Sequence, residues 1–195
     1  MTAIDEPPDA ALALAARQGD HNAFAAIMRR HKGWLYRFIR HYVADREEAY
    51  DILQESFVSA WNALSRFDPE RSFAAWLRRI ALNKCRDRAR RNAVRRAAFA
   101  VLAFGTPVGE STAPAADSTT AASQALRRLE TAIAKLPRQL KEPLILTMLE
   151  GLSHKQAGAL LGINAKAVEM RVYRAKRELA AELDPEDIKD LTGVD

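Results

Sequence analysis

Apolar side chains return every three or four residues along most of this chain, the spacing of helices that bury one face. Phe24, Ile27, Met28, Trp34, Leu35, Phe38 and Ile39 trace such a face, and Asp20 after Gly19 is placed to cap the helix that carries them. A second row, Ile52, Leu53, Phe57, Ala60, Trp61 and Leu64, predicts a helix over about Glu47 to Leu64 with Asp51, Gln54, Glu55 and Ser59 on its outer side. Phe67-Asp68-Pro69-Glu70-Arg71 interrupts the pattern, because Pro69 favours a turn and biases Asp68 away from helical backbone. Helical spacing resumes near Ser72, with Phe73, Trp76, Leu77, Ile80 and Ala81 facing inward. The first domain reads as four helices, three of which carry these rows.

Further on, the pattern splits into two short helices around a turn. Ser153 can cap the first, and Gln156 three residues on completes a capping box. Gly162 stops it, since glycine takes the left-handed conformation without a Cβ penalty, and Asn164 is a good N-cap for the next helix. There Ala165, Val168, Val172, Ala175 and Leu179 form an apolar stripe, with Leu160, Leu161 and Ile163 expected in the same core. The opposite face presents Lys166, Glu169, Met170, Tyr173, Arg174 and Arg177, with Arg171 on its flank. Two capped helices, the second basic on one face, are the grammar of a helix-turn-helix, which puts duplex DNA first among partners. The plain alternative is an ordinary solvated amphipathic helix.

Composition fits an all-α protein: 195 residues, 48% hydrophobic, only 8 glycines and abundant Ala, Leu and Arg. The net charge of +5 matters less than its segregation. From Arg78 to Arg96 nine basic residues stand against the single acid Asp87, whereas between Asp45 and Glu70 seven acids face two bases. Two electrostatic faces suggest two kinds of partner. A small, polar, proline-punctuated stretch from about Gly105 to Ser123 has linker composition. Two small helical domains joined by a flexible linker follow, at 9–96 and 124–183, with 97–123 between them and an acidic tail at 184–195. The apolar run Ala97 to Phe104 reads as the end of the last helix of the first domain, or as a segment that docks into a partner's groove. The tail either screens the basic helix, meets a regulator or is a solvated end.

Several classes are set aside. A single cysteine, Cys85, excludes an intramolecular disulfide and a multi-cysteine zinc site. His21, His31, His41 and His154 have no second ligand at a metal spacing, so they read as surface or satisfied core residues, and neither metal nor cofactor is expected. No apolar stretch approaches the ~20 residues of a membrane span, and Met1 to Asp9 is acidic and proline-rich rather than a signal peptide. A cytoplasmic protein, not inserted in a membrane, is expected. Phosphate-binding glycine loops, nucleophile elbows and HExxH arrangements are absent from the sequence, so an enzyme is not expected.

The order Asp51-Ile52-Leu53-Gln54-Glu55-Ser56-Phe57, then Phe73 through Trp76-Leu77-Arg78-Arg79-Ile80-Ala81-Leu82-Asn83, a linker, Leu136-Pro137, Glu150-Gly151-Leu152-Ser153, and Ala167-Val168 through Arg171 and Arg174-Ala175 resembles a bacterial extracytoplasmic-function sigma factor of the sigma-70 family. The resemblance runs from about Leu12 to Leu183. It implies a dissociable subunit, monomeric when free, that binds core RNA polymerase and promoter DNA and is held by an anti-sigma factor. Asp51, Gln54, Glu55 and the neighbouring Phe57 would dock on the β′ clamp helices. The segment that melts and captures the minus-10 element would be the loop Phe67 to Ser72, including Arg71, with Trp76, Arg79, Asn83, Lys84, Asp87 and Arg88. Such a mixture of aromatic, amide and basic groups suits unpaired bases and phosphates; Trp76 also lies on the inward stripe, where periodicity favours the core.

In the second domain the resemblance implies minus-35 recognition by Lys166, Glu169, Met170, Arg171, Tyr173, Arg174 and Arg177. Arg174 suits a bidentate contact with guanine, while Arg171, Arg177 and Lys166 suit phosphates or flanking bases. Glu169-Met170 departs from the small polar or basic pair usual after the valine, so Glu169 either accepts from a cytosine amine or repels phosphate. Two other readings of the same residues are a stand-alone regulator, which would bind duplex as a dimer on paired half-sites, and a decoy that sequesters an anti-sigma factor.

Overall fold

The computed structural model describes residues 7–43, 45–102 and 121–183, which form eight α-helices and no strand. They fall into two compact units: α1 to α4 make the first, except that Arg40–Asp45 group with α5 to α8 in the second. The acidic tail, residues 103–120 and the apolar residues Ala103 and Phe104 among them lie outside the described residues.

In the first unit α1 (Asp9–Arg17) and α2 (His21–Tyr42) are separated by Gly19 at φ 101°. Asp20 Oδ1 accepts from the backbone of Asn22 and Ala23 at 2.8 and 3.1 Å, the expected cap. Next come α3 (Arg46–Ala63), a 3₁₀ turn at Leu64–Arg66, and α4 (Phe73–Leu102). Between the turn and α4, Asp68 folds the loop on itself, accepting from Glu70 N at 3.1 Å, while Ser72 Oγ accepts from Ala75 N at 3.3 Å and caps α4. Ile27, Leu35, Phe38, Ile52, Leu77 and Ala81 meet with no exposed surface, so three of the predicted stripes do converge on one core. Cys85 is part of it. Met28 departs from the expectation: it is 39% exposed, because the inward row of α2 runs through Phe24 and Ile27 to His31.

The second unit holds α5 (Ala121–Lys135), α6 (Arg138–Leu144) with Pro143 inside it, a π-helical turn at Ile145–Leu149, α7 (His154–Leu161) and α8 (Ala165–Glu182). Helix α4 runs on to Leu102 and α5 opens at Ala121, so both reach into the stretch expected as linker. Leu140, Ile145, Leu146, Ala157, Val168 and Ala175 build the core. Two expectations shift. Ala165, the first helical residue of α8, is exposed, and Leu160, Leu161 and Ile163 are half-buried at the rim. No helix of the described residues is long and apolar enough to cross a membrane, and no cluster of three or more metal-ligating side chains occurs among them.

Candidate nucleic-acid and polymerase interfaces

The geometry of α7 and α8 follows from their end residues. Ser153 Oγ accepts from Gln156 N at 3.2 Å and Gln156 Oε1 accepts from Ser153 N at 2.9 Å, so the capping box is complete in both directions. Gly162 closes α7 at φ 74°, and Asn164 Oδ1 accepts from Ala167 N at 2.7 Å to start α8. Gly158 makes the tight turn possible: a Cβ there would lie 2.5 Å from the carbonyl oxygen of Ile163. With Val168, Val172, Ala175 and Leu179 turned inward, the outer face of α8 carries Lys166, Glu169, Met170, Tyr173, Arg174 and Arg177, all exposed, with Arg171 half-buried beside them. The side chains expected to face duplex DNA therefore stand on one helix face. Within that face Lys166 Nζ lies 3.0 Å from both Glu169 oxygens.

Helix α4 divides its residues between two faces. Ser72, Trp76, Arg79, Asn83 and Asp87 recur at i, i+4, i+7, i+11 and i+15, which aligns them along one side. Arg79, Asn83 and Asp87 are exposed, Trp76 and Lys84 half-buried. Asn83 Oδ1 accepts a long 3.4 Å contact from Arg86, Asp87 pairs with Arg90 at 3.0 Å, and in the preceding loop Arg71 Nε meets Asp68 at 3.2 Å.

Arg88 belongs elsewhere. It continues the inward row of Leu77 and Ala81 and points at α3, where Nη2 reaches Glu55 at 3.1 Å and Asp51 at 3.7 Å, and Nη1 approaches Glu48 at 4.0 Å. Arg91 adds a 3.7 Å contact to Glu55, and Asn92 donates to Glu48 at 2.7 Å. Arg88 thus takes part in an ion-pair network across α3 and α4, made because the row that buries Leu77 carries the guanidinium to the neighbouring helix.

Two aromatic candidates are buried. Phe67 is 4% exposed, its ring edge-on to Phe73 at 5.2 Å and tilted against Trp76 at 5.2 Å, so it braces the loop. Phe57, also 4% exposed, packs edge-on against Phe24. Its burial agrees with the expected inward row, and Val58, an exposed apolar residue, shares a face with Asp51, Gln54 and Glu55 at i, i+3, i+4 and i+7.

Behind the loop lies a polar chain that periodicity alone did not reveal. Trp34 Nε1 donates to His31 Nδ1 at 2.7 Å, and His31 Nε2 meets Asp9 Oδ2 at 2.8 Å, with Arg30 donating to the other Asp9 oxygen at 2.6 Å. An indole nitrogen can only donate, so His31 Nδ1 accepts and Nε2 carries the proton to Asp9. Arg78 covers the Trp34 ring at 4.8 Å, and His31 lies against Phe73 at 5.5 Å. Helix α1 is thereby tied to the aromatic floor of the loop. The i, i+3 spacing of His31 and Trp34 was the signal available in the sequence.

Two family models match the chain in order, Sigma-70 region 2 over residues 27–95 and Sigma-70, region 4 over residues 126–179. The RNA polymerase sigma factor CnrH of Cupriavidus metallidurans is 37% identical over 94% of this chain and 98% of its own length. The ECF RNA polymerase sigma factor SigM of Mycobacterium tuberculosis is 31% identical over 90% of this chain and 84% of its own. Among solved structures, CnrH in complex with the cytosolic domain of CnrY shares 34% identity and a TM-score of 0.65, covering 89% of this chain and 95% of that one. The first model spans the helices that carry the α3 and α4 surfaces and the second spans the helix-turn-helix. The chain belongs to the sigma-70 family, among the extracytoplasmic-function RNA polymerase sigma factors.

Proposed function

We propose that this chain is a cytoplasmic, non-catalytic specificity subunit that joins core RNA polymerase, directs it to promoters through two DNA-reading helices and is held in reserve by an anti-sigma factor. The observation that carries the reading is the separation of surfaces: a capped helix-turn-helix with a basic outer face in one unit, and an acidic α3 face beside an Asn83-bearing α4 stripe in the other. Asp51, Gln54, Glu55 and Val58 dock on a basic, partly apolar surface of the β′ clamp. The α4 stripe of Ser72, Trp76, Arg79, Asn83 and Asp87, with Arg71 and Lys84 beside it, captures unpaired minus-10 bases, where amide and aromatic groups read bases and cations neutralise phosphates. Helix α8 reads the minus-35 element as duplex from the major groove. The solved complex of CnrH with the cytosolic domain of CnrY supports a protein partner by likeness.

A few cations supply most of the DNA affinity of the free chain, so its binding to promoter duplex is weak and falls steeply with salt. Titrating the chain against promoter duplex with and without core polymerase tests this. Promoter-selective binding that requires core polymerase supports the proposal. Tight, dimeric binding to duplex in its absence would point to a stand-alone regulator, and binding to an anti-sigma factor without any polymerase-dependent DNA binding would point to a decoy.

A further inference from the structure

The outer face of α8 begins with an ion pair of defined geometry, Lys166 Nζ standing 3.0 Å from each oxygen of Glu169 three residues on. A lone carboxylate at the front of a recognition helix would be repelled by the phosphates flanking the groove. Paired with Lys166, it is locally neutralised, and both partners keep bonding capacity. A carboxylate offers about four lone-pair sites and an ammonium three protons, so neither is exhausted by the other.

Outward, the pair presents an acceptor and a donor side by side, 3.0 Å apart. A C·G pair presents the complementary order in the major groove: the cytosine N4 amine as donor, then guanine O6 and N7 as two adjacent acceptors. Cytosine N4 and guanine O6 are themselves joined by a hydrogen bond of about 2.9 Å, the usual N–H···O length, so the two patterns share a spacing. An A·T pair fits less well. Its single donor lies between two separated acceptors, with the thymine methyl beyond, so a carboxylate on adenine N6 leaves the ammonium only one acceptor within reach.

We propose that Lys166 and Glu169 read one C·G pair of the upstream promoter element as a unit, Glu169 accepting from cytosine N4 and Lys166 donating to guanine O6 and N7. This rests on the assignment of α8 to that element. The test is selection of functional promoters from a library randomised across the upstream element, using core polymerase with the full wild-type chain, with Glu169→Ala, with Lys166→Ala and with Arg174→Gln.

The wild type selects C·G at one position, and Glu169→Ala and Lys166→Ala each relax that same position by about tenfold. Arg174→Gln relaxes a different one, and preferences retained elsewhere show that each variant is folded and docked. Unaltered preferences with Glu169→Ala, relaxation of two different positions by the Lys166 and Glu169 variants, or wild-type selection of A·T where they act would each overturn the proposal. A wild-type holoenzyme that transcribes but selects no upstream sequence would overturn the assignment of α8 as well.

Discussion

Arg88 of α4 donates through Nη2 to Glu55 of α3 at 3.1 Å, and the same nitrogen stands 3.7 Å from Asp51. One guanidinium from the basic helix therefore sits among the carboxylates proposed to meet polymerase, and the two electrostatic blocks of the sequence are partly matched to each other inside one unit. Arg88 is 22% exposed on its side chain, its partners from 21% for Glu48 to 63% for Asp51. The network lies between an exposed and a buried ion pair in its environment.

Arg88→Ala removes the cation and leaves three carboxylates facing one another. It should destabilise the protein by about 1–2 kcal/mol, above an exposed pair and below a buried one. Urea unfolding of the full chain measures it. A change within ~0.3 kcal/mol of zero would mean that the network contributes nothing to folding.

His31→Phe keeps an aromatic ring against Phe73 and removes both hydrogen bonds of the imidazole. Trp34 Nε1 then loses its acceptor and Asp9 one of its donors, at a cost of about 2 kcal/mol. The urea midpoint should fall accordingly. A midpoint equal to the wild type would show that the Asp9–His31–Trp34 chain is not what ties α1 to α2.

The second unit was more legible in the sequence than the first. Ser153, Gln156, Gly162 and Asn164 each act through backbone groups within three or four residues, and local chemistry of that kind is written in the order of the side chains. The buried rows of α3 and α4 were equally clear, because 3.6-residue periodicity places Ile52, Leu53, Leu77 and Ala81 without knowledge of their partners. What periodicity could not supply was the neighbour. The resemblance implies a DNA contact for Arg88, and only the packing of α4 along α3 shows that Glu48, Asp51 and Glu55 surround it. The spacing also places Phe57 in the buried row of α3, as observed, whereas the burial of Phe67 depends on Phe73 and Trp76 packing over the loop and the outward turn of Val58 was not singled out by the pattern. The Lys166–Glu169 pair was within reach, as an i, i+3 pair of opposite charge.

Two glycines of the helix-turn-helix separate space from backbone strain. At Gly158 a Cβ would strike the Ile163 carbonyl at 2.5 Å, whereas at Gly162 nothing lies within 4 Å and only the left-handed φ of 74° resists substitution. Gly162→Ala should cost about 1 kcal/mol. Gly158→Ala should cost at least about 2 kcal/mol, because backbone must move, and should abolish upstream-element selection while polymerase binding is retained. Thermal unfolding and promoter selection on both variants check the order; a larger loss for Gly162→Ala would contradict it.

Asn83→Ala removes the exposed amide from the α4 stripe and leaves the α3 face intact. Loss of a hydrogen bond to an unpaired base should reduce open-complex formation by about threefold to tenfold at unchanged affinity for core polymerase. Permanganate reactivity of minus-10 thymines, set beside a polymerase titration, separates the two effects. Equal loss of both would remove Asn83 from base capture.

The most direct test is transcription reconstituted from core RNA polymerase and a pool of genomic fragments, with and without this protein, followed by mapping of the 5′ ends. New start sites that share two sequence elements at a fixed spacing, one read by α8 and one lost with Asn83→Ala, are the predicted result. The same start sites with and without the protein, accompanied by tight duplex binding in the absence of polymerase, would contradict it.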